Sequence, residues 1–394
     1  MAKVIINSKK SNKYTKGQYF TSNVFLKNSV YNLIKNNPST ILEPSMGRGD
    51  LVEYINGKNS KIQFDLYEID NTIDFLETIN KDLINIGDFL SYDINKTYDT
   101  IIGNPPYVKT TNGNLYIWFI EKCYNLLNKN GELVFIVPSD FIKLTSSCNI
   151  INEMMTHGTF TDIIHPHNEK LFENANVDVI VFRYCKNDTL PKKLLLNNEE
   201  KYINNSNGII TFSDMISENM SLFSDYFDIY VGMVTGKEDV FKNDKYGNIE
   251  ILNGKDKTDK YILIDTFPTI NNSLNKYMNS NKSILINRKI KKFNENNWYE
   301  WGALRNYKTI EKKLGTKCIY ISNMTRSQNV CFDDKVQYFG GSLIIMIPKQ
   351  ELNLKKMVEF INCDTFKNNY MYSGRFKIGH KQLCNCLFNL SDFT

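Results

Sequence analysis

The segment Tyr98-Asp-Thr-Ile-Ile-Gly103, followed by Asn104-Pro-Pro-Tyr107, decides the fold of this chain. Its first part is a short apolar run rich in β-branched residues, which predicts a buried strand. The two prolines then end the strand abruptly. A polar side chain, rigid backbone carbonyls and an aromatic ring are therefore held at the carboxyl end of a strand. Because ligands of open α/β sheets bind at this edge, we expect the functional site here.

Short strands alternate with helical segments through the first half of the chain. Beside residues 98–103, we predict strands at 40–43, 62–69, 132–137 and 177–184, and helices at 24–35, 71–83, 115–128 and 148–155. Such alternation is typical of a mostly parallel sheet with helices on both faces. The predicted fold class is therefore α/β: a Rossmann-like domain with a mostly parallel sheet, followed by a mixed α+β domain.

The amino-acid composition and the charge of the chain change in its second half. From about residue 190, Asn and Lys become frequent and apolar runs shorten. Residues 1–224 carry 22 Lys and Arg against 25 Asp and Glu, net −3, whereas residues 225–394 carry 26 against 18, net +8. We predict a polar arm at 1–15, a first domain at 16–205 and a second at 206–394. The basic second part favours a polyanionic partner.

Composition disfavours several classes of protein. No run approaches the roughly 18 apolar residues of a transmembrane helix, and the polar N-terminus lacks the apolar core of a secretory signal. We therefore expect a cytoplasmic protein without a membrane partner. The eight cysteines are scattered, and the four histidines complete no zinc pattern, His165-Pro-His167 included. We predict no metal site.

A glycine-containing turn follows the first predicted strand. Glu43-Pro-Ser-Met-Gly47-Arg-Gly49 leads into a helix that begins near Leu51. The two glycines allow the backbone to approach a ligand closely. Glu68 lies at the tip of the next strand, 19 residues beyond Gly49. An acidic side chain at this place can accept both ribose hydroxyls of an adenosine group.

A third strand end carries Asp88 and Phe89. A carboxylate there can accept a hydrogen bond from an adenine amino group, and the phenylalanine ring can pack against the face of the base. Together with the glycine turn and Glu68, this pair predicts an adenosine-containing ligand at the sheet edge that carries Asn104.

Five motifs, in this order, resemble those of the gamma-class S-adenosylmethionine-dependent DNA adenine-N6 methyltransferases of type II restriction–modification systems. The motifs are Gly17-Gln-Tyr-Phe-Thr21, Leu42-Glu-Pro-Ser-Met-Gly-Arg-Gly49, Tyr67-Glu-Ile-Asp70, Gly87-Asp-Phe89 and Asn104-Pro-Pro-Tyr107. The resemblance is strong over residues 16–184. It continues more weakly through 232–241, which is similar to the opening of the family's target recognition domain, and through 373–379.

The resemblance implies a cofactor, S-adenosylmethionine, and a set of residues that bind it. The implied cofactor-binding residues are Thr21, Glu43, Pro44, Gly47, Gly49, Glu68, Ile69, Asp88, Phe89 and Asn104. This chain departs from the family pattern at Ser22, where a proline is usual, and at Met46 and Arg48, which replace smaller residues. None of these departures removes a charged ligand.

Asn104, Pro105, Pro106 and Tyr107 are the predicted catalytic residues. The exocyclic amine of adenine is a poor nucleophile because its lone pair is delocalised into the ring. The Asn104 side-chain oxygen and the Pro105 carbonyl can each accept one amine hydrogen, which localises the lone pair and aims it. The prolines restrict φ and so help to fix these carbonyls.

The target base must leave the duplex to reach such a site, so base flipping is predicted. Tyr107 can stack on one face of the base. The resemblance points to Tyr184, at the end of the strand 177–184, for the other face, with Phe182 as the alternative.

Double-stranded DNA is the predicted partner of the basic second domain. Arg288, Lys289, Lys291 and Arg326 are the candidate contacts, because Arg reads guanine edges and most Lys bind phosphate. We further expect a monomer that protects DNA from a cognate restriction endonuclease acting as a separate protein.

Other acceptors share the Asn-Pro-Pro-Tyr motif, namely protein glutamine and rRNA guanine. Only about 16 residues precede the first motif and a basic segment follows the last, and this order favours DNA. An N4-cytosine DNA methyltransferase also acts on an exocyclic amine and stays an alternative. A DNA-binding module without catalysis is disfavoured, because Glu68, Asp88 and Asn104 are all present.

Overall fold

The computed structural model describes residues 18–111, 113–173, 175–214 and 220–394. The predicted polar arm, residues 1–15, and Gly17 lie outside this described part. The chain forms two compact units: the first is 1–217 with 372–374, and the second is 218–371 with 375–394.

A ten-stranded sheet forms the centre of the first unit. Its strands are β1 (Thr40–Glu43), β2 (Gln63–Glu68), β3 (Ile84–Ile86), β4 (Tyr98–Gly103), β7 (Leu127–Pro138), β8 (Thr159–Ile164), β9 (Val179–Cys185), β10 (Lys193–Leu196), β11 (Glu199–Ser206) and β12 (Ile209–Ser213), and a separate short hairpin consists of β5 (Lys109–Thr110) and β6 (Gly113–Asn114). The helices are α1 (Val24–Leu33), α2 (Asp50–Lys58), α3 (Leu115–Asn125) and α4 (Cys148–His157).

The strand order across the sheet is β12-β11-β10-β8-β9-β7-β4-β1-β2-β3. The five strands from β7 to β3 in this order run parallel, so their carboxyl ends meet at one edge. β9 runs antiparallel to both of its neighbours, β7 and β8. The predicted α/β, Rossmann-like fold with a mostly parallel sheet is confirmed for the site-bearing half of the sheet.

Helices cover both faces of this sheet. Successive side chains of a strand point to opposite faces, so neighbouring residues of one strand contact different helical layers. Ile101 and Ile102 of β4 are both fully buried, yet they belong to different apolar clusters. Ile101 packs with residues of α3 and α4, and Ile102 packs with residues of α1 and α2. Burial of one such side chain stabilises the fold by about 1.5–3 kcal/mol, so the two helical layers hold β4 rigidly.

Two expectations about chain organisation need correction. The helix predicted at 71–83 is a series of turns that ends in a 3₁₀ turn at Lys81–Leu83. Its backbone bonds elsewhere: the Leu76 N–H donates to the carbonyl of Arg48, at 3.0 Å, instead of closing a helical turn. The boundary predicted between residues 205 and 206 falls within the β11–β12 hairpin, and the first unit extends past it.

The second unit combines small antiparallel sheets with short helices. Its largest sheet has four strands, in the order β14 (Phe227–Val231), β20 (Leu343–Pro348), β17 (Lys317–Ser322) and β19 (Cys331–Lys335). The strands are β13 (Met220–Leu222), β14 (Phe227–Val231), β15 (Ile249–Gly254), β16 (Lys257–Tyr261), β17 (Lys317–Ser322), β18 (Met324–Thr325), β19 (Cys331–Lys335), β20 (Leu343–Pro348), β21 (Met371–Tyr372), β22 (Arg375–Lys377) and β23 (Leu387–Asn389). The helices are α5 (Phe223–Tyr226), α6 (Glu238–Phe241), α7 (Asn272–Ile286), α8 (Tyr307–Glu311), α9 (Leu354–Asn362), α10 (Asp364–Asn368) and α11 (His380–Cys384).

This composition is the mixed α+β organisation predicted for the second domain. Its apolar residues form several separate clusters instead of one sheet-wide core. Among the described residues of either unit, we find no helix long and apolar enough to cross a membrane.

Candidate active site

A cavity of about 420 Å³ opens at the carboxyl edge of the parallel strands in the first unit. Eight of the predicted site residues line it: Pro44, Gly47, Glu68, Ile69, Asp88, Phe89, Asn104 and Pro106. They lie at or just after the ends of four different strands, β1 to β4, whose shared direction brings these ends together. These eight residues are far apart in the sequence. They form one wall of the cavity because their strands run in the same direction.

The glycine turn and Glu68 are joined by hydrogen bonds. The Gly47 N–H donates to Glu68 Oε2 at 2.8 Å, and the Asp70 N–H donates to Oε1 at 2.9 Å. Gly47 has φ +58°, and a Cβ there would come within 3.1 Å of the Phe20 ring, so a glycine is needed. Burial raises the pKa of Glu68, and its backbone donors oppose that shift. Each carboxylate oxygen keeps further acceptor capacity for a ligand.

Glu43 supports this turn from behind and does not line the cavity. Its side chain is 1% exposed, and its Oε1 accepts the Ser45 N–H at 3.3 Å. Within the described part of the chain, its Oε2 has no hydrogen-bond partner. Burial is the main reason why the pKa of Glu43 lies well above its ordinary value. The structure therefore places Glu43 behind the turn and not at the cavity wall, where it was predicted to bind the cofactor.

Asp88 and Phe89 form the far wall of the cavity. Asp88 caps the 3₁₀ turn Phe89–Ser91: its Oδ1 accepts the Leu90 N–H at 3.0 Å, and its Oδ2 accepts the Ser91 hydroxyl at 2.9 Å. The Phe89 ring is stacked on Phe119, with centroids 5.5 Å apart. An aromatic wall beside an exposed carboxylate fits the adenine ring and amino group of the cofactor that the sequence implies.

Lys122, which sequence reasoning missed, holds this wall in place. Its ammonium donates to the carbonyls of Phe89 at 2.6 Å, Leu90 at 3.3 Å and Tyr92 at 2.5 Å. It also lies 4.7 Å from the centroid of the Phe89 ring. The sequence around Lys122 predicts only that this residue lies on a helix. It gives no sign of the role, because the carbonyls that Lys122 binds are distant in sequence.

The Asn104 amide is held from both ends. Its Nδ2 donates to the Tyr19 carbonyl at 2.8 Å and to Thr21 Oγ1 at 3.1 Å. Its Oδ1 accepts the Tyr107 hydroxyl at 2.5 Å. Thr21, predicted to bind the cofactor, is buried and does not line the cavity. Its observed partner is Asn104.

Tyr107 lies in an aromatic group beside Asn104. Its ring stacks on Tyr19, with centroids 5.3 Å apart and planes at 28°, and it makes edge contacts with Tyr116 and Phe172 at 6.0 and 6.2 Å. Its hydroxyl also lies 3.0 Å from the Ile136 carbonyl. Burial raises the pKa of Tyr107 well above its ordinary value, so this hydroxyl stays a hydrogen-bond donor at neutral pH.

The structure contradicts the base-stacking role predicted for Tyr184. This residue is fully buried in the core, its hydroxyl donates to the Met154 carbonyl at 2.8 Å, and its ring packs on Phe160. The reason is strand direction: β9 is antiparallel to β7, and Tyr184 pairs with Leu133, in the middle of β7 and short of its carboxyl end. It therefore lies away from the carboxyl edge that carries Asn104. The alternative, Phe182, is also fully buried in the core.

Phe172, unlike Tyr184, lies beside Tyr107, although it is also buried, at 4% exposed. It precedes β9, and its ring lies 6.2 Å from Tyr107 and 5.7 Å from Tyr19, centroid to centroid. Because β9 is antiparallel, its amino-terminal end is the one that shares the site's edge. Had the direction of β9 been known, the sequence would have pointed to the residues before the strand, where Leu171-Phe172 is the first aromatic position upstream.

The predicted DNA contacts in the second unit divide into two kinds. Arg288 is 8% exposed and donates to the carbonyls of Leu285, Thr235, Trp298 and Glu300 at 2.6–2.9 Å. Burial lowers the pKa of Arg288 to about 10. This side chain is structural, which corrects the prediction. Lys289, Lys291 and Arg326 are exposed, and Lys291 forms an ion pair with Glu300 at 2.9 Å.

Comparison with known proteins places this site in a family context. Residues 22–172 match the family described as Eco57I restriction-modification methylase. The chain is 30% identical over 218 residues to the Type II methyltransferase M.HincII of Haemophilus influenzae, covering 48% of this chain and 41% of that protein. It is 26% identical over 267 residues to M.AccI of Acinetobacter calcoaceticus, covering 51% and 48%. The chain thus spans less than half the length of these relatives.

Two solved structures share the fold at low sequence identity. The Type IIL restriction-modification enzyme MmeI in complex with DNA matches with a TM-score of 0.60 and 11% identity, covering 97% of this chain and 69% of that one. A DrdV–DNA complex matches with a TM-score of 0.51 and 10% identity, covering 86% and 50%. At these identities the likeness concerns the fold alone.

Proposed function

We propose that this protein is a site-specific DNA methyltransferase that modifies N6 of adenine, because residues 22–172 match the Eco57I restriction-modification methylase family. The observation that carries the proposal is the Asn104 amide at the cavity wall. Its nitrogen is bound to Tyr19 and Thr21, and its oxygen, which accepts the Tyr107 hydroxyl, keeps a second lone pair for a ligand. The first unit would carry catalysis, and the second unit would recognise the DNA target.

S-adenosylmethionine is the cofactor, and when bound it supplies a methyl group on a positively charged sulfur. Glu68 would accept the ribose hydroxyls through the lone pairs that its backbone donors leave available. Asp88 would accept the adenine amino group, with the ring against Phe89. Pro44, Gly47 and Ile69 complete the lining, while Glu43 and Gly49 shape the turn.

Asn104 and Pro105 would prepare the acceptor amine. The Asn104 oxygen and the Pro105 carbonyl each accept one hydrogen of the adenine amine, so the lone pair is localised and directed at the methyl group. Both acceptors are fixed before the reaction, because β4 is buried on both faces and Pro106 restricts the chain that follows. Their contribution is orientation and electrostatic stabilisation.

The flipped adenine would stack on Tyr107, and Phe172 would supply a second aromatic wall. The edge contact of these rings, 6.2 Å between centroids, supports their acting on the same ligand. Base–aromatic stacking contributes about 1–3 kcal/mol per base. It offsets part of the energy that is needed to take the base out of the duplex.

Double-stranded DNA would bind the basic second unit. Lys289, Lys291 and Arg326 are exposed and suit phosphate contacts. We expect a monomer that acts on DNA alone, with the matching restriction endonuclease as a separate protein.

Single-molecule sequencing of DNA modified by the purified protein tests the proposal. We expect N6-methyladenine at one recurring sequence when S-adenosylmethionine is present, and no modification without it. N4-methylcytosine at a recurring sequence would instead establish the alternative acceptor. Unmodified DNA, together with methylation of protein glutamine or rRNA guanine, would contradict DNA as the substrate.

A further inference from the structure

We propose that Lys122 is a positioning residue for the cofactor, because it fixes the loop that forms the adenosine end of the cavity. This loop comprises residues 87–92, and Lys122 itself does not line the cavity. Four residues of the loop do line it: Gly87, Asp88, Phe89 and Leu90. The inference rests on the proposed function, since it concerns how that enzyme binds S-adenosylmethionine.

The 87–92 loop has little regular structure to hold it in place. It contains the 3₁₀ turn Phe89–Ser91, and the bond that closes this turn, from the Tyr92 N–H to the Phe89 carbonyl, is 3.3 Å long. Hydrogen-bond geometry in 3₁₀ turns is poor, and a single turn does not keep its conformation in water by itself. The position of Asp88 and Phe89 therefore depends on contacts from outside the loop.

Lys122 contacts three backbone carbonyls of the loop. Its ammonium donates to the carbonyl of Phe89 at 2.6 Å, to that of Leu90 at 3.3 Å and to that of Tyr92 at 2.5 Å. An ammonium group has three donors and no acceptor, so these carbonyls use its whole hydrogen-bonding capacity. Lys122 therefore has no donor left for a ligand, and its effect on the cofactor has to pass through the loop.

The helix α3 makes this anchor rigid. Lys122 and Phe119 are three residues apart on α3, so they lie on the same face of the helix. Phe119 is buried in the core, and its ring stacks on the ring of Phe89. The Lys122 ammonium lies 4.7 Å from the centroid of the same Phe89 ring. The helix thus holds the loop by ring contacts and by backbone contacts, and Lys122 supplies the backbone contacts.

Lys186 makes similar contacts away from this cavity. Its ammonium donates to the carbonyls of Tyr124 at 3.1 Å and Leu127 at 3.2 Å, and it lies 4.6 Å from the centroid of the Tyr124 ring. Burial lowers the pKa of both lysines. Lys186, Tyr124 and Leu127 are not part of the cavity lining. Loss of the Lys186 ammonium should therefore destabilise the fold without moving the 87–92 loop, so Lys186 is the matched control.

Two variants of the full-length protein, Lys122→Met and Lys186→Met, test the inference. Methionine keeps an unbranched apolar side chain and removes the ammonium. We expect Lys122→Met to raise the Kd for S-adenosylmethionine about tenfold, measured by calorimetry without DNA, because the unanchored loop has to be ordered on binding. The affinity for adenosine should fall by the same factor, since adenosine is the part of the cofactor that the loop contacts. Lys186→Met should lower thermal stability and keep both Kd values within about twofold of wild type.

A third variant, Lys122→Gln, makes a smaller change at the same contact. Glutamine keeps two N–H donors and loses the charge. We expect it to raise the Kd for S-adenosylmethionine about threefold, by the same loss of order in the loop. This variant decides the matter if Lys122→Met does not fold.

Three outcomes would overturn the inference. The first is a wild-type Kd in a folded Lys122 variant. The second is an equal rise of the Kd in Lys186→Met, which would indicate general loosening of the first unit. The third is a rise for S-adenosylmethionine without one for adenosine, which would place the effect at the methionine end. Because binding is measured without DNA, failure of the proposed function is distinguishable: a wild-type protein that binds S-adenosylmethionine and leaves adenine unmethylated contradicts the proposed function alone.

Discussion

Asn104 and Tyr184 were both predicted at the ends of buried strands, and only Asn104 lies in the site. Asn104 follows β4, which is parallel to its neighbours β1 and β7. Tyr184 lies near the end of β9, which is antiparallel to β7. The difference teaches that a strand end becomes a site position only when the direction of the strand brings that end to the ligand edge. Glu68, at the end of the parallel β2, follows the same rule as Asn104.

The substitution with the largest expected effect removes the acceptor group of Asn104, which follows the parallel strand β4. Asn104→Ala should lower kcat by about 10²–10³-fold, the cost of losing one fixed hydrogen-bonding group at the reacting atom. Binding of S-adenosylmethionine and of DNA should persist, because Glu68, Asp88 and the second unit are unchanged. Radioactive methyl transfer and filter binding measure the two effects. Normal methylation by this variant would contradict the mechanism proposed for Asn104.

The parallel strand ends could be predicted because the local sequence carries their geometry. A β-branched run stopped by two prolines determines where β4 ends, and glycines at 47 and 49 determine the turn after β1. Strand direction is different, because it depends on pairing between distant segments. Nothing local to Val179–Cys185 distinguishes a parallel from an antiparallel strand, so the sequence favours Tyr184, whereas Phe172 is the residue that contacts Tyr107.

A second test concerns Glu68, which ends the parallel strand β2. Glu68→Gln should raise the Kd for S-adenosylmethionine about thirtyfold at pH 8, because hydrogen bonds to a charged group contribute about 1.5–3 kcal/mol. Burial raises the pKa of Glu68, so wild-type affinity should fall as pH is lowered through that raised pKa and the carboxylate gains a proton. The Kd of the Gln variant should stay flat over the same range.

The stability of the fold should depend on pH in the opposite direction to the affinity for S-adenosylmethionine. Because the folded-state pKa lies above the unfolded value, the folded state binds the proton more tightly. The corresponding stabilisation is present below the unfolded pKa and is lost as pH rises through the folded pKa. Thermal unfolding and cofactor titration of the same samples should therefore show opposite trends with pH. Parallel trends would remove Glu68 as the titrating group.

A third test compares the aromatic residues before and near the end of β9. Phe172→Leu keeps an apolar side chain and removes the ring beside Tyr107, so kcat/KM for DNA should fall about tenfold through lost stacking. Tyr184→Phe removes only the hydrogen bond to Met154, which should lower the free energy of unfolding by about 1 kcal/mol and leave kcat/KM unchanged. Steady-state kinetics and urea unfolding give both values. The reverse pattern would return Tyr184 to the site.

Burial, like strand direction, is decided by tertiary structure, and the neighbours Arg288 and Lys289 illustrate this. The sequence predicts both as DNA contacts, because both are cations in the basic second half of the chain. In the structure, four backbone carbonyls surround the Arg288 guanidinium, while Lys289 is exposed. The sequence indicated that the second unit is basic, and it could not tell which of two adjacent cations faces solvent.

The smallest effect should come from this exposed cation. Lys289→Ala should weaken DNA binding about threefold in 50 mM salt, and should reduce the slope of log K against log salt by about 0.9, the value for one lost phosphate contact. Arg288→Met is the matched control: it leaves four carbonyls without their donor, so it should lower thermal stability while the salt slope stays at the wild-type value. Fluorescence anisotropy over a salt series measures the slopes. An unchanged slope in Lys289→Ala would take Lys289 out of the DNA interface, and Lys291 and Arg326 would then be the remaining exposed candidates.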